Sequence, residues 1–536
     1  MIKMTQVFLG IMIFITSSLS AQVTGFIDDF NDGNIDGWVA DHSQTFQLSN
    51  ENGALKIHYT RTSASSAWDN YNFTPSQTIN ITSNPVITFN IKSDVNTAFS
   101  IKPTNGQDVP LITQNIIGDN QWRKMSFEIN NANSKIIAKM YMYFDGGTTE
   151  LKEGTVYIDD VAFGDSAKIA LDYIDLETAI NSAENLLNNT SEGNAEGEYK
   201  PGSKSILQAE IDSAIDFLNS ESGEAAELKR VIWNLYDACV TYETGVTAVT
   251  INLTDDNSTK ETRYLFLNLE DLSERALLFG MHDARGYGVG WNGDNDRSDV
   301  YDIVGDYPAI LSEDMNKIQN NNDVEGVKYR LTSEYERGGI ITMCWHQYDP
   351  EGRGFYDDDV NFERIVSTIL PGGANHKYYK ELLTKVALFF KSLRGSNGIS
   401  VPVIFRPYHE HTGAWFWWGD GHRTTGEYNS IWRFTVEYLR DSLNVHNLLY
   451  ALSPSFEHVF SGDQYLETYP GDDYVDIFGT DKYFSVNPVT DYERNQFVNG
   501  LKTIAQLAKQ REKIIALTEV GNENLVIDNW FTQILL

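Results

Sequence analysis

Residues 401–419 read Val401-Pro402-Val403-Ile404-Phe405-Arg406-Pro407-Tyr408-His409-Glu410-His411-Thr412-Gly413-Ala414-Trp415-Phe416-Trp417-Trp418-Gly419. The first five residues form an apolar run with the length of a buried strand. Just past its end stand a carboxylate between two histidines and three tryptophans within four residues. So much aromatic surface in one loop suits a flat, partly apolar partner, and a sugar ring has that shape.

Outward from this run, short apolar stretches alternate with helical patterns from about residue 245 onward. That alternation is the βα rhythm of a parallel barrel. Strands are expected at 276–281, 300–304, 340–345, 401–405, 448–452, 475–479 and 514–517. Polar or aromatic residues follow nearly every one: His282-Asp283, His346-Gln347, His409-Glu410, Ser453-Pro454, Asp481-Lys482-Tyr483 and Thr518-Glu519. In a (β/α)8 barrel these ends share one face, where the chemistry sits. Glu410 follows the fourth expected strand and Glu519 the seventh. Hydrolysis of a glycosidic bond needs two flanking carboxyl groups. A separation of about 5–5.5 Å makes one of them a nucleophile, whereas roughly 6.5–9.5 Å leaves room for water between them. His282 and Asp283, after the first strand, are expected to line the same cleft. Trp417 and Trp418 are expected to pack rather than to meet ligand. The histidines lie on separate strands, without an H-E-x-x-H helix or a cysteine partner, so no cofactor or metal is expected for catalysis.

The run 406–410, followed by Gly413 and Trp415-Phe416-Trp417-Trp418-Gly419, and Leu517-Thr518-Glu519-Val520-Gly521 about a hundred residues on, resembles glycoside hydrolase family 26. The resemblance covers residues 260–536. It implies a retaining hydrolase, mainly a β-1,4-mannanase, with Glu410 as general acid/base and Glu519 as nucleophile. It also implies that His409 contacts the sugar beside the cleavage point, that His346 lies in the substrate cleft and that Trp415 stacks on a ring. Tyr483 would lie near the nucleophile, with Asp481 on the same loop. The implied partner is a β-linked plant-type polysaccharide such as mannan, galactomannan or glucomannan. The alternatives are β-1,3-xylanase or mixed-linkage β-glucanase activity within the family, or a polysaccharide-binding protein without catalysis. One departure is Thr412, where the family often has Asn; a hydroxyl reaches less far than an amide.

The rest of the chain frames this reading. Its 536 residues carry a formal charge of −34, and an acidic surface repels phosphate backbones but not a neutral polymer, which excludes nucleic acid as partner. Residues 1–21 read as a signal peptide: Lys3, an apolar core over 7–15, then Ser18-Leu19-Ser20-Ala21. No cysteine follows, so a secreted or periplasmic protein without a lipid anchor is expected. No later stretch is long and apolar enough to span a membrane. Cys239 and Cys344 are expected as two buried thiols.

Residues 22–165 alternate as an all-β jelly-roll sandwich resembling carbohydrate-binding modules. That resemblance implies a structural Ca2+ held by Asp28 and Asp160. Trp68, Tyr71, Trp122, Tyr141 and Tyr143 are its sugar-stacking candidates. Residues 166–244 carry three apolar stripes at helical spacing and read as a small helical spacer bundle. Residues 245–536 are then the hydrolase barrel. After Glu519 come 17 residues, in which 528–536 read as the capped start of a helix. The eighth strand is missing, and a C-terminally incomplete barrel is expected; a full-length chain is expected to be monomeric.

Overall fold

The computed structural model describes residues 25–522, apart from 29, 31–32, 147–151, 221–224, 247–250, 274, 460 and 485–488. The expected leader over 1–21 and the helix expected from 528 lie outside the described residues. No described helix is long and apolar enough to cross a membrane.

The N-terminal unit is an antiparallel sandwich. One sheet runs Arg123–Glu128, Val86–Ser93, Lys152–Phe163, Leu55–Arg61, Phe46–Asn50, with Gly25–Asp28 also paired to Lys152–Phe163. The other runs Trp38–Ala40, Tyr71–Phe73, Lys139–Phe144, Thr97–Thr104, Ile112–Ile116. The period-two pattern explains the layering. In Leu55–Arg61 every odd residue is buried, and Lys56, His58 and Thr60 face outward, half-buried. Phe89, Phe99 and Phe127 meet edge to face at 5.3–5.7 Å in the core between the sheets. Of the aromatic candidates, Tyr71 is a buried core residue, Tyr143 is buried on the outer face of its sheet with the Trp68 ring 6.0 Å away, and Trp68 and Trp122 are exposed. Lys139 lies 4.8 Å from the ring of Tyr141, and Lys92 lies 4.8 Å from that of Trp122. Asp28 accepts a 2.8 Å bond from the Trp38 indole, and Asp160 accepts one of 2.6 Å from Asn90. Neither aspartate belongs to a three-ligand cluster among the described residues.

Three helices follow, Gly164–Asn188, Ser203–Ser220 and Ala225–Thr244. Their predicted stripes are buried, including Leu176, Ala183, Leu207, Ile211, Leu235 and Cys239. The segment expected as a spacer over 166–244 packs on the barrel for most of its length. Residues 176–222 and those from 229 onward form one compact unit with the barrel. The physical reason is polar as well as apolar. Glu243, fully buried, accepts bonds from Arg394 Nη2 (3.1 Å), the Ser400 N–H (2.7 Å) and Ser400 Oγ (2.8 Å). Arg394 is buried too, so removing one partner strands a charge. Glu243→Ala is expected to destabilise the chain by about 3–5 kcal/mol, read as a lowered denaturant midpoint. A loss within about 1 kcal/mol would match an exposed pair instead.

The barrel contributes seven parallel strands in chain order. They are β1 (Gly280–His282), β2 (Ile310–Asp314), β3 (Ile340–Cys344), β4 (Val403–Arg406), β5 (Leu448–Leu452), β6 (Ile477–Phe484) and β7 (Ile514–Asn522). The described residues thus supply seven strands, in line with a barrel short of its eighth. β4 and β5 are buried along their whole length, which is why they read as unbroken apolar runs. One expected strand is wrong. Residues 300–304 belong to a helix, Asp299–Val304, and the second strand is β2. Val300, Ile303 and Val304 are spaced one helical turn apart. Ser298 precedes the helix in extended conformation, and Gly305, at φ 77°, ends it left-handed.

Candidate active site

The strand ends bring the polar residues together. β4 hands over to Tyr408 and Glu410, which hold positive φ values of 49° and 52°. These left-handed turns cost energy in non-glycine residues. They are held by the Glu410 N–H bond to the Ser453 carbonyl (2.7 Å) and by the buried indoles of Trp417 and Trp418. Trp417 Nε1 donates to the Gln347 carbonyl and Trp418 Nε1 to the His409 carbonyl, each at 2.8 Å. Both tryptophans are packing residues that fix the loop. Trp415 is half-buried, and its Nε1 donates to Glu410 Oε2 at 2.7 Å.

Glu519, near the end of β7, is held by two donors. Arg406 Nη2 bonds its Oε1, and the Tyr483 hydroxyl bonds its Oε2 at 2.7 Å. Arg406 is buried and spends its other arm on Asp481 Oδ2 (2.7 Å) and Ser453 Oγ (2.9 Å). Asp481 also accepts from Thr518 Oγ1 at 2.6 Å. One carboxylate oxygen from each of Glu410, Asp481 and Glu519 lies within 4.8 Å of the others.

The electrostatics separate these carboxyls. Burial pushes Glu410 up, and the negative charge of Glu519 adds to it, while the Trp415 bond opposes; the result is about 7. Burial alone would also raise Glu519, but the Arg406 guanidinium and the Tyr483 hydroxyl hold it well below the usual carboxylate range. Asp481, fully buried, is pushed well up by burial despite Arg406, with Glu519 beside it. Near neutral pH one member of the Glu410/Glu519 pair therefore carries a proton and the other is ionised.

A second chain of bonds approaches from β2. His346 Nδ1 donates to Asp314 Oδ2 at 2.8 Å, which leaves its Nε2 as acceptor. His409 Nε2 lies 3.2 Å from His346 Nε2 and must supply the proton. His409 Nδ1 is then a lone pair, buried and without a partner in the structure. Burial, followed by the Arg406 charge, lowers His409 well below the ordinary histidine value, so its ring is neutral.

The sequence-predicted residues Glu410, Glu519, Trp415, Tyr483, Asp481, His409 and His346 are thus linked in two hydrogen-bonded groups. His282 is not hydrogen-bonded to either group among the described residues, although it lies beside Asp314; half its ring is exposed and its Nδ1 is 3.0 Å from Ser312 Oγ. Asp283 forms an ion pair with Lys317 at 2.6 Å. Thr412 donates to the Ser455 carbonyl at 3.2 Å, bonded within the protein. Two functional residues were not singled out from sequence. Arg406 was visible in the run as the last residue of a buried strand, and a buried arginine calls for carboxylate partners. Asp314 was hidden because the second strand was expected ten residues too early.

Comparison with known proteins bears on the same half of the chain. A family model described as "Glycosyl hydrolase family 26" matches residues 254–533, just over half of the sequence. A curated mannan endo-1,4-beta-mannosidase of Bifidobacterium adolescentis is 36% identical over 287 residues, which cover 51% of this chain and 28% of that protein. One from Thermothelomyces thermophilus is 27% identical over 235 residues, 41% of this chain and 44% of that protein. The chain thus spans less than half the length of these curated relatives. Among solved structures, GH26C from Muricauda sp. superposes with a TM-score of 0.50 at 38% identity, covering 53% of this chain and 80% of that one. The catalytic domain of a Bacillus sp. endo-beta-1,4-mannanase gives 0.51 at 34% identity, covering 53% and 79%.

Proposed function

The chain belongs to glycoside hydrolase family 26, and we propose that it is an exported endo-β-1,4-mannanase acting by double displacement with retention. The observation that carries the mechanism is the approach of Glu410 and Glu519 oxygens to within 4.8 Å. An approach that close suits direct attack by one carboxylate on the anomeric carbon.

The steps follow from the charges. Glu410, protonated, gives its proton to the glycosidic oxygen as that bond to the anomeric carbon breaks. Glu519, ionised, attacks the same carbon from the opposite face and forms an ester. Arg406 and Tyr483 keep Glu519 aligned and anionic. Glu410, now a carboxylate, takes a proton from water. The oxygen of that water attacks the anomeric carbon and releases Glu519. Trp415 is placed both to stack on a sugar ring and to orient Glu410. The neutral His409 precedes Glu410 in the chain and donates to His346, so it helps to hold the turn that presents the acid.

The substrate assignment leans on the curated relatives named as mannan endo-1,4-beta-mannosidases. Reducing-sugar release from mannan, xylan and lichenan tests it. Internal cleavage of mannan, faster than of the other two by roughly tenfold or more in kcat/KM, is the expected result. Preference for β-1,3-xylan or lichenan would replace the substrate, and binding without release from any polymer would replace catalysis.

A further inference from the structure

We infer that His282, Asp314 and Cys344 form a second site beside the catalytic pair, which takes zinc or a similar thiophilic divalent cation and shuts off hydrolysis when filled. The sequence places Cys344 only two residues before His346, but periodicity gives no reason to associate either with His282. The fold supplies it. The three residues end β1, β2 and β3, adjacent parallel strands, and one donor atom from each lies within 4.8 Å of the other two. The donors are an imidazole nitrogen, a carboxylate oxygen and a thiol sulfur, the set that zinc prefers.

Three further features fit a cation. A tetrahedral zinc ion with bonds of about 2.0–2.3 Å needs donors roughly 3.3–3.8 Å apart, so side-chain shifts of at most about 1–1.5 Å close the site. His282 Nδ1 is fixed by Ser312 Oγ at 3.0 Å, the kind of outer bond that orients a metal-binding imidazole. With half its ring exposed, His282 gives an entry path from solvent, while Cys344 and Asp314 lie behind it. Cys344 has no strong partner of its own: its sulfur is 4.0 Å from the Glu313 carbonyl and 4.0 Å from His346 Nδ1. Asp283, 3.7 Å from His282, adds negative charge at the rim. The acidic trio Glu410, Asp481 and Glu519 is the other cluster of this kind, and catalysis accounts for it.

The consequence for hydrolysis runs through Asp314. Its Oδ2 anchors His346, and His346 anchors His409. A cation on Asp314 competes for that oxygen and places positive charge against both imidazoles, loosening the chain that orients His409. Binding exchanges the thiol proton for the metal: the Cys344 S–H bond breaks, a sulfur–metal bond forms, and the proton leaves to solvent. Affinity therefore rises with pH while the thiol remains protonated. The inhibition half of the inference rests on the proposed hydrolase; the binding half does not.

The test uses the full chain in two readouts. Cobalt(II), as a zinc surrogate, is expected to give a thiolate-to-metal charge-transfer band that zinc abolishes and that Cys344→Ala lacks. Zinc is expected to inhibit mannan hydrolysis reversibly, EDTA restoring it, and Mg2+ and Ca2+ to have no such effect. Cys344→Ala, with kcat/KM unchanged in EDTA, should raise the zinc concentration for half-inhibition by roughly tenfold or more. Cys344→Ser keeps more of the packing and should behave alike; His282→Asn should weaken the cobalt band. No charge-transfer band in the wild type, or equal inhibition of Cys344→Ala, overturns the site. A band without inhibition keeps the site and overturns the switch. A band in a chain that hydrolyses no polysaccharide overturns the proposed function alone.

Discussion

Glu519→Ala is expected to lower kcat on mannan by roughly 10⁴-fold or more, since the loss of a nucleophile removes the covalent route itself. KM should change far less, because Trp415 and the rest of the cleft remain. The stereochemistry of rescue gives the sharper test. The vacated space beside Arg406 and Tyr483 is cationic and donor-rich, suited to a small anion such as azide. Azide entering there attacks the anomeric carbon once, from the face that Glu519 occupied, and gives a glycosyl azide of inverted configuration. In Glu410→Ala with a substrate bearing a good leaving group, Glu519 still forms its ester, and azide then displaces it. Two inversions give a retained product. If both variants yield the same anomer, or if Glu519→Ala keeps more than about a hundredth of the activity, Glu519 is not the nucleophile.

The pair itself was legible in the sequence, and the reason is local. Glu410 and Glu519 each close a short apolar run; the first is easy to read because β4 is buried along its whole length, the second because Ile514 to Leu517 are all apolar although β7 is half-buried from Ile515 onward. The residues that tune the pair were less legible, because they act across strands. Arg406 serves Asp481 and Glu519, 75 and 113 residues away, and no pattern along the chain announces those bonds. Asp314 was lost through a period error. Val300, Ile303 and Val304 suggested a strand by composition, yet their spacing is helical and Ser298 and Gly305 bracket a helix. The helical segment was legible as helix, but not its attachment to the barrel. Its apolar stripes could be seen, but the attachment depends on Glu243 meeting Arg394, 151 residues on. In the sandwich, alternation gave the strands but could not tell a buried tyrosine from an exposed one. Tyr71 points into the core, whereas Tyr143 is buried on the outer face of its sheet under Trp68, and Trp68 and Trp122 are exposed.

Trp415→Phe is expected to move the alkaline limit of activity upward. In the wild type kcat/KM should fall above about pH 7, where Glu410 loses the proton it must donate. On the acid side activity should persist through the ordinary carboxylate range, because Arg406 and Tyr483 hold Glu519 ionised against its burial. The Trp415 indole donates to Glu410 Oε2 and so favours the carboxylate. Phenylalanine keeps most of the apolar contact and removes that donor. The charged form loses a bond worth about 1.5–3 kcal/mol, and each pH unit corresponds to about 1.4 kcal/mol. The limb should therefore shift up by roughly one to two units, and stacking losses should lower kcat/KM at all pH values without moving the limb. A downward shift, or none, would show that burial and Glu519 alone set the acid. Stability supplies a readout independent of substrate. Glu410 titrates near 4.5 when unfolded and near 7 when folded, so between these values the native chain binds the extra proton. Stability from this group is thus lost as pH rises through that window, by roughly 3 kcal/mol in all. Glu410→Gln removes the titration, and its unfolding free energy should fall less between pH 4.5 and 7 than that of the wild type. Parallel curves for the two proteins would mean that Glu410 is not held protonated by the fold.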